Sequence, residues 1–114
     1  GLITIPVTIN ESETLYFIVD TGFDVNVMNE ETAVSLGFSL SEKISQAQPG
    51  GTIEYSVLKD VNLKINNDSP SLENFIVTEL DNLEMLIGQK IDGILGIEFL
   101  EKWHAQVNLT HHQN

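Results

Sequence analysis

Apolar and polar positions alternate along residues 2–9. Ile3, Ile5, Val7 and Ile9 share one face, and Thr4, Pro6 and Thr8 the other. This is the pattern of a half-buried strand. Pro6 has no N–H to give, so the strand is expected at a sheet edge or short of one ladder bond there. A polar turn over residues 10–13 leads to Leu15-Tyr16-Phe17-Ile18-Val19, an unbroken apolar run. Such a run predicts a strand covered on both faces. The two segments read as a hairpin that delivers Asp20 at its exit.

Asn29-Glu30-Glu31 has the composition of a helix start, with an Asn cap and acids facing the positive end of the dipole. Ala33, Val34 and Leu36 follow, and Gly37 suits the left-handed stop, so a helix of about two turns is expected. Residues 44–55 carry Pro49-Gly50-Gly51 at their middle, a turn between two extended arms. Val61, Leu63 and Ile65 alternate with polar neighbours and end at the turn Asn67-Asp68-Ser69-Pro70. Residues 75–78 form a further strand. After the glycine-punctuated Ile91-Asp92-Gly93-Ile94-Leu95-Gly96, residues 97–103 are expected as a helix with Phe99, Leu100 and Trp103 at core spacing, and residues 105–109 as a last strand. Many short strands with turns at regular intervals predict a single all-β domain over residues 1–114, a barrel or sandwich with one or two short helices. No internal repeat or linker interrupts it.

Charge narrows the partners. The 114 residues hold five Lys, no Arg and 17 acids, for a formal net charge of −12. A nucleic-acid or anionic-membrane partner needs cations, of which this chain has almost none to offer. Cysteine is absent, which removes disulfides, thiol nucleophiles and zinc thiolates. No window approaches the roughly 20 apolar residues of a membrane span, and no basic-then-apolar leader is present. The chain opens directly on a strand-like stretch, which leaves room for a targeting segment upstream; the compartment is not read from the sequence, and export or a periplasmic location would follow only from such a segment. His104, His111 and His112 have no carboxylate at helical ligand spacing, so no metal is expected. The Asn108-Leu109-Thr110 sequon carries no weight without secretion in a eukaryote.

The remaining chemistry centres on Asp20-Thr21-Gly22, directly behind Phe17-Ile18-Val19, and on Ile94-Leu95-Gly96 about seventy residues later. Glycines at both places let two segments approach closely. The succession of apolar strand, Asp-Thr-Gly, a Pro49-Gly50-Gly51 hairpin, Asp92-Gly93-Ile94-Leu95-Gly96 and a helix resembles the retropepsin-like aspartic peptidases, above all their small bacterial single-domain members. The likeness runs from Ile3 to about Leu109. It implies a closed β-barrel lobe and an aspartic endopeptidase with no cofactor, acting on extended peptides. It also implies a homodimer, because one chain supplies only one Asp20 and the catalytic pair needs two. In aspartic proteases two such carboxylates share one proton; one deprotonates a water while the other polarises the scissile carbonyl.

The resemblance further makes Thr21 a brace across the dimer interface and Gly22 a resting place for the substrate backbone. Pro49, Gly50 and Gly51 become the tip of a flap, and Asp24 a substrate-contacting acid. Asp92 reads better as a turn and loop hydrogen-bonding residue than as a catalytic one. Phe23 departs from the family, which carries Ser, Thr or Ala there. Its ring either lines a substrate pocket or crowds the aspartate pair. Two alternatives therefore stand beside the peptidase: an inactive protease-like module that dimerises or binds peptides, and one lobe of a longer tandem protein.

Overall fold

The computed structural model describes residues 2–66 and 68–112, with side chains as far as residue 105. Asn67 of the predicted turn and the side chains of Asn108, His111 and His112 lie outside the described residues. The elements run β1 (Ile3–Ile9), β2 (Leu15–Val19), β3 (Asn26–Asn29), α1 (Glu30–Ser35), β4 (Ile44–Gln48), β5 (Gly51–Ile65), β6 (Ser71–Thr78), α2 (Asp81–Ile87), β7 (Gly93–Leu95) and α3 (Ile97–His112).

Strand order is β1-β2-β7-β3-β6-β5-β4, and β5 returns to pair with β1. That last pairing, Val7–Ile9 against Leu63–Ile65, closes six strands into a ring and leaves β4 outside it. Closure removes the free edges that an open sheet would expose. β5 is long enough to do two jobs. Its first half pairs with β4 in a projecting hairpin, and its second half belongs to the ring. The register shift between Leu58 and Val61 marks the division, with Asp60 at φ 55°. Such a bulge bends the strand and re-aims what precedes it.

β2 and β7 run parallel and are covered on both faces. Phe17, Met28 and Leu95 point into the main core, while Ile18, Val27 and Ile94 belong to a second cluster with Leu80 and Ile91. Phe17 meets Phe75 edge to face with ring centroids 6.0 Å apart, an arrangement worth about 0.5–1.5 kcal/mol beyond burial. Tyr16 is the exception to the apolar run and stands exposed.

The strands expected over residues 2–9, 15–19, 44–55, 61–65 and 75–78 are present, and α1 starts on Asn29, whose Oδ1 accepts from Glu31 N at 3.3 Å. Gly37 adopts the left-handed stop at φ 86°. Four features differ from the expectation. β3, α2 and β7 were not foreseen as elements, and residues 105–109 continue α3 instead of forming a strand. No Pro or Gly separates Trp103 from that segment, so nothing breaks the helix. Phe99 is buried, while Leu100 and Trp103 pack half-buried against the core. Trp103 Nε1 also donates to Asp68 Oδ2 at 3.1 Å, and Lys102 Nζ stands 2.6 Å from buried Glu73 Oε2.

Candidate active site

The β2–β7 ladder pairs Val19 with Leu95, and Asp20 N extends it by one step, donating to Leu95 O at 3.1 Å. The chain then turns. Phe23 N donates to Asp20 O at 3.3 Å, and Gly22 N donates to Asp20 Oδ1 at 2.8 Å. A side-chain oxygen receiving the amide two residues on is the local preference of Asp in turns. It fixes the direction of the carboxylate without any distant partner. Asp20 is half-buried, and residues 21–25 are exposed.

The second glycine motif holds this turn from behind. A Cβ on Gly96 would lie 2.6 Å from Val25 O and 2.8 Å from Phe23 O, so only glycine admits the loop at this distance. Ile97 N donates to Phe23 O at 2.8 Å, and Gly96 N donates to Asn26 Oδ1 at 3.0 Å. Asn26 is buried and uses its Nδ2 on Asn74 O at 3.3 Å. Sequence reasoning passed over Asn26, because its partners stand 48 and 70 residues away; a polar residue between the loop and the apolar Val27-Met28 was its sole local sign.

Asp92 is a fastener rather than a reactive group. Its Oδ2 accepts from Tyr16 N at 2.9 Å and its Oδ1 from Thr32 Oγ1 at 2.7 Å. Its own N–H donates to Tyr16 O and its carbonyl accepts from Asn29 N. One residue thereby ties β2, the start of α1 and the approach to β7 together. Asn29 adds a bond from Nδ2 to Ile91 O at 3.0 Å, and Glu84 Oε2 accepts from Ile91 N at 2.9 Å.

The β4–β5 hairpin closes through Gln48 opposite Gly51, which leaves Pro49 and Gly50 as its two-residue turn. Gly50 has φ 92°, the value a type II turn requires after Pro. All of β4 is exposed. Along the hairpin lies a cavity of about 720 Å³. Thr52, Ile53 and Glu54 contribute to its wall from β5, and Phe23, Val27 and Ile94 from around the Asp20 turn. Phe23 thus lines the cavity, with 40% of its surface exposed. Asp24 is exposed and lies outside that lining, as do Asp20, Thr21, Gly22 and the hairpin tip.

A closed ring carrying a projecting hairpin and a glycine-backed Asp-Thr-Gly turn defines the retropepsin-like fold. Solved structures that match it include EIAV protease complexed with the inhibitor HBY-793 (TM-score 0.67, 20% identity, 91% of this chain and 89% of that one) and a retropepsin-like aspartic protease from Rickettsia conorii (TM-score 0.64, 20% identity, 89% and 71%). The family model described as aspartyl protease matches residues 5–99. The chain belongs to the aspartyl protease family. No curated protein matches it by sequence. Among the described residues no group of His, Cys, Asp or Glu could hold a metal ion, and no helix is long and apolar enough to cross a membrane.

Proposed function

We propose that the chain is an aspartic endopeptidase that works as a homodimer, with Asp20 of each copy forming the catalytic pair. The observation that carries this reading is the setting of Asp20. Its carboxylate is held by Gly22 N at a surface turn whose Phe23 lines the same cavity as Gln48, Thr52 and Ile53 of the hairpin. One carboxylate of the pair removes a proton from a water held between the two. The other, as the acid, donates a hydrogen bond to the scissile carbonyl. The water oxygen attacks the carbonyl carbon, and the tetrahedral diol collapses as the C–N bond breaks and the nitrogen takes a proton. No acyl-enzyme forms.

A two-fold axis is the simplest way to bring identical groups together. The surface around Asp20 suits such contact, since Phe23 and Val25 expose 40% and 47% of their area beside it. Thr21 and Gly22 serve as loop support at that interface, and Ile94, Leu95 and Gly96 as its backing. Pro49, Gly50 and Gly51 form the flap tip, which folds over an extended peptide and excludes water. Phe23 serves as a pocket wall. Asp24 is a substrate contact from the exposed side of the same loop.

Cleavage of a mixed peptide library followed by mass spectrometry tests the reading, with light scattering over a concentration series to follow assembly. Cleavage that appears with the dimer and disappears in Asp20→Asn is the expected result. A dimer that binds peptides and cuts none favours the inactive module, whose motive is the aromatic ring at position 23.

A further inference from the structure

We infer that Asn26 is a positioning residue for the Asp20 carboxylate, its side-chain amide setting where the active-site turn stands against the second glycine motif. The inference rests on the peptidase reading above and adds to it a residue that acts through another.

Three hydrogen bonds join the turn to residues 95–97. Asp20 N donates to Leu95 O at 3.1 Å, Ile97 N donates to Phe23 O at 2.8 Å, and Gly96 N donates to Asn26 Oδ1 at 3.0 Å. The first two run between backbone groups, so no side-chain substitution removes a partner from them. The third holds the far end of the turn, where the chain enters β3, and its acceptor is a side chain. Residue type decides this bond alone.

The position calls for an amide. Asn26 is 7% exposed, and it meets two backbone groups of opposite kind. Gly96 N needs an acceptor, and Asn74 O, 3.3 Å from Asn26 Nδ2, needs a donor. An amide supplies both, and backbone groups left unpaired away from water cost about as much as a lost hydrogen bond. The side chain therefore has one orientation, with its oxygen toward Gly96. Its backbone is equally confined, since Asn26 pairs with Phe75 of β6 and the next residue, Val27, pairs with Ile94 of β7. Asn26 cannot follow the turn, so the turn takes its place from Asn26. Without the bond to Gly96, residues 95–97 and the turn are free to separate. The Asp20 carboxylate moves with them, because Gly22 N aims it from within the same turn. Two carboxylates that share a proton and a water tolerate little displacement, and a misplacement of about 1 Å is felt in the rate. Peptide binding is spread more widely, over cavity walls such as Gln48, Ile53 and Ile76 that lie outside the turn.

Two variants of similar size separate positioning from stability. Asn26→Leu offers nothing to either backbone group. Asn26→Asp keeps an acceptor for Gly96 N but sets a carboxylate against Asn74 O in a buried place. Tm is expected to fall at least as far in Asn26→Asp, which buries a charge, as in Asn26→Leu. The rates are expected in the opposite order. On a peptide cut by the unaltered protein, kcat falls at least about tenfold in Asn26→Leu and less than about threefold in Asn26→Asp, with KM within about threefold in both. Each protein is assayed as a dimer, below its Tm and at its own pH optimum. Asn26→Thr and Asn26→Val, alike in shape and differing in a hydroxyl that can accept from Gly96 N, repeat the comparison with no charge buried. A kcat that falls in step with Tm across the four variants overturns the inference, as does an equal fall in both members of each pair. If the unaltered protein cuts nothing, the peptidase reading fails by itself and amide exchange read by NMR decides the inference. Gly22 and Phe23 N–H, both bonded within the turn, are then expected to exchange at least about tenfold faster in Asn26→Leu than in Asn26→Asp. Equal exchange overturns the positioning role.

Discussion

Gly93→Ala isolates how tightly the strands behind the active-site turn are packed. Gly93 lies in β7, between Phe17 of β2 on one side and Met28 of β3 on the other. Its backbone is not left-handed, so the substitution meets no conformational penalty and tests space alone. A Cβ there would come within 2.2 Å of Val27 O and 2.3 Å of Phe17 Cε2. Ordinary carbon contacts begin near 3.5 Å, so a strand or a ring must move by about an ångström. Val27 O cannot yield without disturbing β3. Phe17 is fully buried and meets Phe75 edge to face, so its ring has no free volume to enter. Overpacking of this kind costs about 1–3 kcal/mol and sometimes more. With both neighbours confined, we expect about 3 kcal/mol. For a domain of this size that lowers Tm by roughly 10–15 °C. Circular dichroism during thermal and urea unfolding reads it directly. A loss below about 1 kcal/mol at an unchanged m-value would refute the packing argument.

Gly96→Ala strikes the turn rather than the core, since its Cβ meets Val25 O and Phe23 O; we expect peptidase activity to fall at least about tenfold with a smaller loss of Tm than at Gly93. Asp92→Ala strands Tyr16 N and Thr32 Oγ1; two lost partners in a half-buried site cost about 2 kcal/mol, visible as a lower urea midpoint, and an unchanged midpoint rejects the fastening role. Two copies at −12 each repel, so sedimentation should show tighter self-association with added salt at neutral pH. Lowering the pH from 7.5 to about 4.5, close to the ordinary carboxylate range, should tighten it too, as carboxylates gain protons and the net negative charge shrinks. Stronger association at pH 7.5 in low salt contradicts that.

Much of the frame was legible because its signals are local. The alternation over residues 2–9, the apolar run after Leu15 and the alternation through Val61, Leu63 and Ile65 each mark a strand face without reference to the rest of the chain. Asn29 and Gly37 bracket α1 in the same way. β3 escaped because it is four residues long and begins and ends in Asn, so no period can establish itself. α2 had a readable stop, Gly88 at φ 75°, but its Leu80 cap makes no side-chain bond and Met85 and Leu86 face solvent. Its apolar pattern therefore gives no clean buried stripe. The end of α3 was misread because β-compatible residues such as Val107 and Leu109 also suit a helix that nothing terminates.

At the site, the Asp20 turn and the glycines behind it could be found from sequence, since both depend on short motifs. The hydrogen bonds that fasten them could not. Asn26 to Gly96 and Thr32 to Asp92 join positions at least 60 residues apart, and their chemistry emerges only when the ring has closed.

Mixing experiments test the pairing of Asp20 most directly. Unaltered protein and Asp20→Asn protein are combined in varied proportion, at a total concentration where both are dimeric, and peptide cleavage is read after exchange. If each active site draws one Asp20 from each of two copies, activity follows the square of the unaltered fraction, so an equal mixture retains about a quarter. An equal mixture that retains half, on a straight line through every proportion, means that each chain works alone and contradicts the account.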